Sequence, residues 1–548
     1  MHQRHRKPKF EANSVSDPKM EPQSIKSFQF RQNPNPRSSS FYKTLKNQPK
    51  LNFITISIFC IAFSFVFYLL FVLFRHKTPY NGRKFGIIID GGSTGSRIHV
   101  FEYRIEAGVP RFDFTPNGHA SLKVNPGLSS FEDDPEGAGE SLVKLLDFGK
   151  RIVPRELWGD TEIKLMATAG LRLLDLKVQD RILESCRRVL RSSGLKFRDD
   201  WALIITGSDE GLYAWIVANY ALGTLGGDPY LTTGIIELGG ASAQVTFVSK
   251  ESVPPEFSRS LKYGNATYHL YSNSLLHFGQ NVAFDSLKEL LVSTGIKSAT
   301  ESSDKELIMD PCTPKGYAQA TKSFNFSPDS VAKKYSSTFH AIGNFSECRA
   351  TALKLLHRGK DDCSYHHCSL GATFMPKLHG RFLATENFFH TSQFFGLAPE
   401  AVLSDVLNAG QQFCEDDWSN IRKKYASLEA ENILHYCFSS AYIVALLHDS
   451  LGVALDDRRI GYTNKVDNIS LDWALGAFIL QTTEANNGAN HWWIASLTSD
   501  IFSNVFLITG AFILLIFAAC YISQWRKPYF KTIYDLEKGR YIKTRINR

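Results

Sequence analysis

The sequence predicts an α/β protein in which two similar domains face each other across a cleft, with one membrane-spanning helix before them and one after them. Two long uncharged runs lie near the two ends of the 548-residue chain. Between them, a strand-turn-strand element occurs twice, with its two acidic residues 147 positions apart. Further apolar strands between the two copies are each followed by the start of a helix, which is typical of an α/β domain.

The two uncharged runs, 51–74 and 501–522, contain 24 and 22 residues. Each is long enough to cross about 30 Å of hydrocarbon as a helix. A buried core helix is the alternative, but such helices are usually shorter and amphipathic. The first run has no small-residue cleavage site after it, so it resembles an uncleaved anchor more than a signal peptide.

The charge distribution around the second run predicts the orientation in the membrane. Residues 481–500 contain no Lys or Arg, whereas residues 523–542 contain five. The C-terminal side is therefore predicted to be cytoplasmic, and two crossings place both termini there. Residues 78–500 then face a lumen or the cell exterior, and all four Asn-x-Ser/Thr sequons fall in this stretch. These sequons are Asn265, Asn325, Asn344 and Asn468.

The cysteines also divide between the uncharged runs and the segment that lies between these runs. Cys60 and Cys520 lie in the uncharged runs, and seven cysteines remain for an oxidising compartment. Cys186 follows a helical apolar pattern, which makes it the best candidate for an unpaired core thiol. The segment from Cys363 to Cys368 contains two histidines and could hold zinc, but a cysteine pair at this spacing in a lumenal protein is more often a disulfide.

The net charge of +8 comes from the ends of the chain. Once the 21 basic and 5 acidic residues of the two tails and of the flank after the first run are set aside, 41 basic and 49 acidic residues remain. An acidic body argues against a protein that binds the nucleic-acid backbone. The tails, 1–50 and 523–548, are basic and are expected to be disordered.

The first copy of the repeated element is a predicted β-hairpin. An apolar strand, 85–89, ends in Asp90, and a Gly/Ser/Thr-rich turn leads to a second strand at 98–101. Glycines in such a turn let backbone N–H groups approach a phosphate, and the hydroxyl groups add hydrogen-bond donors. The carboxylate can hold the water shell of a metal ion. An ordinary hairpin would explain this segment equally well if it stood alone.

The second copy, 234–247, repeats the order of strand, carboxylate, small-residue turn and strand, with Glu237 as its acidic residue. Internal duplication indicates two similar domains with one phosphate loop each. The chain has no Gly-x-x-x-x-Gly-Lys-Ser/Thr sequence, which excludes a P-loop protein, and no dinucleotide-binding glycine pattern opens a helix. Between the copies, strands at 163–166 and 203–205 lead into helix starts, and Glu210 lies at the second of these. Taken alone, Glu210 suits the N-terminus of a helix for electrostatic reasons.

Five segments in order resemble the conserved regions of the apyrases, or nucleoside triphosphate diphosphohydrolases, a branch of the actin, hexokinase and heat-shock ATPase superfamily. They are Asp90–Arg97, Ala167–Arg172, Ser208–Trp215, Glu237–Gln244 and Ile469–Ala477. The resemblance runs from about residue 84 to 479 and includes the membrane-anchored layout. It implies two ribonuclease-H-like domains and hydrolysis of the terminal phosphate of nucleoside tri- and diphosphates, dependent on a divalent cation, Ca or Mg.

The resemblance also implies a role for individual residues. Glu210 would be the general base for the attacking water, Asp90 and Glu237 would hold the hydrated cation, and Trp473 would lie near the nucleoside. The remaining residues would bind the phosphates or position the water: Gly92, Ser93, Thr94, Gly95, Ser96, Arg97, Thr168, Gly239, Gly240, Ala241, Ser242, Ala243 and Gln244. Phosphoryl transfer requires mainly positioning and charge stabilisation, so this set is chemically sufficient.

The sequence departs from the family pattern at three positions. Glu237 stands where an Asp is usual, Ala243 replaces a common Thr, and His277 replaces a common Cys. The last change fits the odd number of cysteines. The family supports three disulfides, which join Cys312 to Cys348, Cys363 to Cys368, and Cys414 to Cys437.

The predicted organisation is a first lobe made of 84–200 and 466–492, a second lobe made of 201–465, and the two spans and basic tails outside them. The leading expectation is a membrane-bound apyrase at the plasma membrane or in the Golgi or another endomembrane, whose spans could also mediate oligomerisation. The alternatives are a lumenal nucleoside diphosphatase that supports glycosylation, a sugar-kinase-like phosphotransferase, and a non-catalytic glycoprotein. Phosphate release without an acceptor would separate the hydrolases from the kinase.

Overall fold

A computed structural model describes the second of two units, residues 80–548, in most of its length. The described ranges are 82–106, 109–114, 118–294, 307–317, 322–324, 335–366, 368–496 and 530–545. Of the first unit, residues 1–79, the structure describes four helical positions, namely Ile61, Ala62, Phe65 and Tyr68. Apart from these four, both predicted spans lie outside the described residues. In the part of the chain that is described, no helix has both the length and the apolar character needed to cross a bilayer.

The first lobe is built on a six-stranded sheet. Strands β1 and β2 form the predicted hairpin, β5 and β6 add in parallel on the side of β1, and β3 and β4 both pair with β2. The strands are β1 Arg83–Gly91, β2 Ser96–Glu106, β3 Val109–Phe112, β4 His119–Val124, β5 Glu162–Ala167 and β6 Ala202–Ile204. The first sheet therefore extends past residue 200, where the sequence analysis ended the first lobe.

Four helices accompany this sheet. They are α1 Pro135–Ser141, α2 Val143–Ile152, α3 Ala169–Arg172 and α4 Leu176–Arg191. The apolar side of α4 places Ile182, Cys186 and Leu190 in the same buried cluster as Ile87 and Leu165 of the sheet. Cys186 is a free, buried cysteine, as its helical pattern predicts.

The second lobe repeats the topology of the first. Its sheet has the order β17-β16-β7-β8-β10-β9, in which β7 and β8 are antiparallel and β16 and β17 add in parallel. The strands are β7 Gly234–Leu238, β8 Ser242–Val248, β9 Ser258–Tyr263, β10 Ala266–Leu276, β16 Phe382–Glu386 and β17 Ile460–Tyr462. The duplication inferred from the two strand-turn-strand copies is thus a duplication of the sheet.

The remaining elements of the second lobe cover its sheet. The helices are α6 Gln280–Thr294, α7 Phe345–Leu356, α8 Asn387–Phe394, α9 Leu403–Glu415, α10 Trp418–Lys424 and α11 Ala430–Val444, which continues as a π-helical segment, Ala445–Ser450. The short strands of this lobe are β11 Leu307–Asp310, β12 Lys322–Phe324, β13 Tyr335–Ala341, β14 Cys368–Leu370 and β15 Thr373–Phe374. Strands β18 Lys465–Val466 and β19 Ile469–Ser470 pair with each other and pack against a different buried cluster, which contains Phe101 of the first sheet.

All three family-implied disulfides are present in this lobe, so the Cys363–Cys368 loop is a disulfide and not a zinc site. They join Cys312 to Cys348, Cys363 to Cys368 and Cys414 to Cys437. Of the sequons, Asn265 and Asn468 are exposed, Asn344 is partly buried at the start of α7, and Asn325 lies outside the described residues.

Two helices pack between the sheets and join the lobes. They are α5 Gly207–Ala221 and α12 Trp473–Ser496, whose side chains are described as far as residue 484. Trp215 of α5 and Ile479 of α12 share one buried cluster with Ile88 of the first sheet and Ile235 of the second. The helices cross so closely that a Cβ on Gly476 would lie 1.8 Å from the carbonyl oxygen of Tyr213. This contact fixes the starts of both helices against the cleft.

The C-terminal tail differs from the expectation of disorder. Residues Phe530–Asp535 and Arg540–Arg545 form an antiparallel hairpin, β20 and β21. β-Branched and aromatic residues pair across it, including Ile533 with Ile542 and Tyr534 with Tyr541. The aromatic rings of the latter pair are 4.8 Å apart. The prediction for 523–548 was wrong here because the count of basic residues concealed this strand-forming pattern.

Candidate active site

A cavity of about 110 Å³ lies between the two lobes, at the turns of both hairpins. Most of the residues predicted from the sequence line it: Asp90, Gly92, Ser93, Thr94, Gly95, Arg97, Thr168, Glu210, Glu237, Gly239, Gly240, Ala241, Ser242, Gln244 and Trp473. Ser96 and Ala243 are buried beside the cavity and do not line it. Residues that the sequence analysis did not select also line it, namely Lys123, Ala169, Glu386 and Asp472.

The two hairpins present their acidic residues in equivalent positions. Asp90 pairs with Arg97 across β1 and β2, and Glu237 pairs with Gln244 across β7 and β8. The loops approach each other closely, because a Cβ on Gly240 would lie 2.8 Å from the Oγ of Ser93. A side chain at position 240 would therefore fill the gap between the loops.

Both acidic residues have an unpartnered oxygen. Asp90 Oδ1 and Glu237 Oε2 are buried and accept no hydrogen bond from the described residues. Burial, together with the neighbouring Asp472 and Glu210, raises the pKa of Asp90 well above its usual value. Burial raises the pKa of Glu237 likewise, with Glu210 and Glu386 adding to the effect. Buried carboxylates without partners are expensive unless a cation neutralises them, so these two positions fit a divalent cation.

Glu210 lies in the first turn of α5, whose N-cap is Thr206. Its side chain is mostly buried, and Arg172 Nη2 donates a hydrogen bond of 2.6 Å to Glu210 Oε2. Burial raises the pKa of Glu210 to about 7, although the Arg172 guanidinium acts in the opposite direction. A carboxyl group with a pKa near neutrality is suited to accept a proton from water.

Arg172 was part of a conserved segment in the sequence, but its contact with Glu210 could not be inferred. The contact requires α3 and α5 to begin at neighbouring strand ends. A Cβ on Gly207 would lie 2.3 Å from Arg172 Nη1 and 2.1 Å from the side chain of Ser274. Glycine at position 207 therefore makes room for the guanidinium beside the carboxylate.

Gln244 is held in a fixed orientation inside the cavity wall. Its Nε2 donates to Ser242 Oγ at 2.6 Å and to Ser274 Oγ at 3.2 Å. These bonds leave the amide oxygen free of both serines, so it can accept a hydrogen bond from a water molecule in the cavity. Ser274 on β10 was not predicted, and it contributes through Gln244.

Arg97 and Asp472 line the cavity and form an ion pair. Arg97 Nη1 lies 3.2 Å from Asp472 Oδ2, and His99 Nε2 lies 3.4 Å from the same oxygen. His119 Nε2 is 3.2 Å from His99 Nδ1. Burial lowers the pKa of His99 to about 4, although the neighbouring Asp472 acts in the opposite direction, and His99 Nε2 makes no hydrogen bond among the described residues. The N–H of Ala474 donates to the other oxygen of Asp472 at 3.0 Å and helps to fix the carboxylate that pairs with Arg97.

Lys123 is a second cation at the phosphate loop. It pairs with Arg97 in register, from β4 to β2, and its Nζ donates to Thr94 Oγ1 at 3.3 Å. A Cβ on Gly95 would lie 2.6 Å from Lys123 Cε, so the glycine lets the lysine approach the loop. No motif in the sequence marks Lys123, and only the pairing of β4 with β2 brings it to the cavity.

Trp473 begins α12 and is mostly buried at the edge of the cavity. Its ring stacks with that of Tyr213 on α5, with centroids 6.5 Å apart. An aromatic pair at the rim of a phosphate-binding cavity offers a surface for a nucleobase, but the described contacts of Trp473 also serve the packing of α5 on α12.

Comparison with known proteins defines the class. Residues 76–496 match the GDA1/CD39 (nucleoside phosphatase) family, and the chain belongs to this family. A crystal structure of nucleoside triphosphate hydrolases from Neospora caninum has the same two-lobed actin-like fold. Its TM-score is 0.54 at 16% sequence identity, and the match covers 79% of this chain and 98% of that chain.

Within the family, the chain is similar to plant apyrases along its whole length. It is 52% identical to probable apyrase 6 of Arabidopsis thaliana over 100% of both chains. It is 28% identical to the ectonucleoside triphosphate diphosphohydrolase 3 of Mus musculus over 83% of this chain and 88% of that protein. The chain is accordingly a hydrolase of the apyrase class, as the five ordered segments indicated.

Proposed function

We propose that this enzyme hydrolyses the terminal phosphate of nucleoside tri- and diphosphates with Glu210 as the general base. The observation that carries the proposal is the buried Glu210, whose pKa is raised to about 7 in a cavity between two phosphate loops. A water molecule between Glu210 and Gln244 would be oriented by both side chains. As its oxygen attacks the terminal phosphorus, its proton passes to Glu210, and the bridging P–O bond breaks to release inorganic phosphate and the shortened nucleotide.

The phosphate chain would lie between the loops 92–97 and 239–244. Arg97 and Lys123 supply positive charge on the side of the first lobe, and backbone N–H groups of both loops supply donors. Asp90 and Glu237 would hold a divalent cation through its water shell, Ca or Mg, which would neutralise charge on the phosphates when bound. This water-mediated mode agrees with the unpartnered oxygens of the two residues.

The enzyme is further proposed to be anchored by spans at 51–74 and 501–522, with both termini in the cytoplasm. The support is the uncharged runs, the positive flank after the second run, and the three disulfides of an oxidising compartment. The substrates would then be nucleotides of a lumen or of the cell exterior.

Release of inorganic phosphate from a panel of nucleoside tri- and diphosphates, with Ca or Mg and no acceptor, tests the activity. Glu210→Gln should retain nucleotide binding and lower turnover by a factor on the order of 10² or more. Excess chelator should abolish hydrolysis. Wild-type turnover in the variant would remove Glu210 from its role, and activity in excess chelator would refute the cation requirement.

A further inference from the structure

Glu386 is a carboxylate in the cavity that neither the family segments nor the sequence pattern selected. It is the last residue of β16, directly before α8. In register it pairs with Leu238 of β7, one position beyond the pair formed by Thr385 and Glu237. Glu386 is therefore on the strand adjacent to the one that carries the proposed cation-holding residue of the second lobe.

The backbone of Glu386 has φ +58° and ψ −119°. This combination of a positive φ with a negative ψ is one that only glycine adopts readily. The backbone is held in place from two sides: Asn464 Oδ1 accepts a hydrogen bond of 2.7 Å from the N–H of Glu386, and Asn387 Nδ2 donates to the carbonyl of Leu238 at 2.7 Å. Residues with a strained backbone that is held by its surroundings are common at functional sites. A sharp strand-to-helix turn can direct the side chain of such a residue into the site.

The usual structural roles of a glutamate do not explain this side chain. Although Glu386 is the N-cap residue of α8, its side chain makes no capping hydrogen bond. Among the described residues, its carboxylate also has no hydrogen-bond donor and no ion-pair partner within 4.0 Å. Arg97 and Lys123 are close enough to favour the charged form of Glu386, whereas the carboxylate of Asp472 disfavours it.

The charged residues that line the cavity indicate that it needs a cation. Five carboxylates surround it: Asp90, Glu210, Glu237, Glu386 and Asp472. Arg172 is bound to Glu210 and Arg97 to Asp472, which leaves Lys123 as the remaining cationic side chain that lines the cavity in the described structure. A polyphosphate would be repelled by the other three carboxylates unless a cation lies between them.

We propose that Glu386 is a third carboxylate of the divalent-cation site, which holds the water shell of the ion from the second lobe beside Glu237. The proposal rests on the proposed function, because it assumes a cation at Asp90 and Glu237. It adds a residue that determines the affinity for the cation. It also assigns a purpose to the strained turn, which aims the carboxylate into the cavity.

The test uses the full-length wild-type chain, Glu386→Gln and Glu386→Asp. The probe is Mn²⁺, whose free concentration is followed by electron paramagnetic resonance in the presence of a non-hydrolysable nucleotide. Glu386→Gln should weaken Mn²⁺ binding by about ten-fold or more, the usual size of effect for an outer-shell partner of a metal. Glu386→Asp, which keeps the charge, should restore part of the affinity.

Two matched variants separate the explanations. Glu429→Gln, at the exposed start of α11, should bind Mn²⁺ as the wild type does. If Glu386 instead serves as a counter-charge for Lys123, the double variant Glu386→Gln with Lys123→Met should recover the lost Mn²⁺ affinity, and this recovery would overturn the proposal. Unchanged Mn²⁺ affinity in folded Glu386→Gln would overturn it as well.

Failure of this inference and failure of the proposed function give different results. If the wild-type chain releases phosphate and is inhibited by chelator while Glu386→Gln binds Mn²⁺ normally, only the role of Glu386 is refuted. If the wild-type chain binds Mn²⁺ through Glu386 but releases no phosphate from any nucleotide, the cation site stands and the proposed activity fails.

Discussion

The raised pKa of Glu210 predicts the pH dependence of catalysis. Burial, only partly offset by the Arg172 guanidinium, raises the pKa from 4.5 to about 7. At about 1.4 kcal/mol per pH unit, this displacement corresponds to roughly 3.5 kcal/mol in favour of the protonated form. Because the base must be ionised to accept a proton, kcat/KM should fall about ten-fold per pH unit below a limit near pH 7 and reach a plateau above it.

Arg172 offers a direct test of this assignment. Its guanidinium lowers the pKa of Glu210 against the effect of burial. Arg172→Gln removes that charge and leaves a shorter, neutral amide, so the acid limit of kcat/KM should move upward by about one pH unit or more. The measurement is the initial rate of phosphate release from pH 5 to 9, with one nucleotide and a fixed, saturating concentration of the divalent cation.

The terminal phosphate of the nucleotide also titrates near pH 6. Its contribution is the same for the wild type and for Arg172→Gln, so the difference between the two profiles reports on the enzyme. Arg198→Gln, whose guanidinium pairs with Asp200 on the exposed surface, is the matched control and should leave the profile unchanged. Superimposable acid limits for the wild type and Arg172→Gln would refute the assignment of Glu210 as the titrating base.

Three further predictions concern other residues and the topology. Glu386→Gly relieves the strain of the positive φ of +58° at this position. The free energy of unfolding of the cation-free protein should therefore rise by about 1–3 kcal/mol, and a lower midpoint of thermal unfolding would contradict this. Lys123→Met should raise KM for the nucleotide several-fold with a smaller effect on kcat, because the lysine lies at the phosphate loop. An unchanged KM in steady-state kinetics would exclude a contact between Lys123 and the phosphates. In sealed vesicles, protease should remove only the basic tails, and the protected part should lose N-linked glycan to a glycosidase; cleavage within 78–500 would reverse the orientation.

Much of the central architecture was predictable because local signals and global fold agree there. The strands at 85–89 and 234–238 are continuous apolar runs bounded by Gly-rich turns, and such runs predict buried strands. Their repetition predicted two similar domains, and the structure confirms the same strand pairing in both. The disulfide pairing, in contrast, came from family resemblance, since spacing alone permits several arrangements.

The parts of the site that sequence reasoning missed depend on contacts between distant strands. Lys123 reaches the cavity only because β4 pairs with β2, and Glu386 only because β16 pairs with β7. Neither residue stands in a recognisable motif, and a positive φ at a glutamate has no signal in the sequence. The link from Asp472 to His99 likewise joins the last conserved segment to the first hairpin, 373 positions apart.

The burial of Cys186 has a practical consequence for measuring the unfolding of this protein. The thiol lies in the core of the first lobe and is the single free cysteine of the described residues, whereas the second lobe holds its cysteines as disulfides. In a chain with Cys60 and Cys520 replaced by serine, a thiol-specific reagent applied without reductant would therefore label the first lobe alone. The rate of labelling would measure the unfolding of that lobe separately from the rest of the enzyme. It would also show whether a bound nucleotide slows this unfolding.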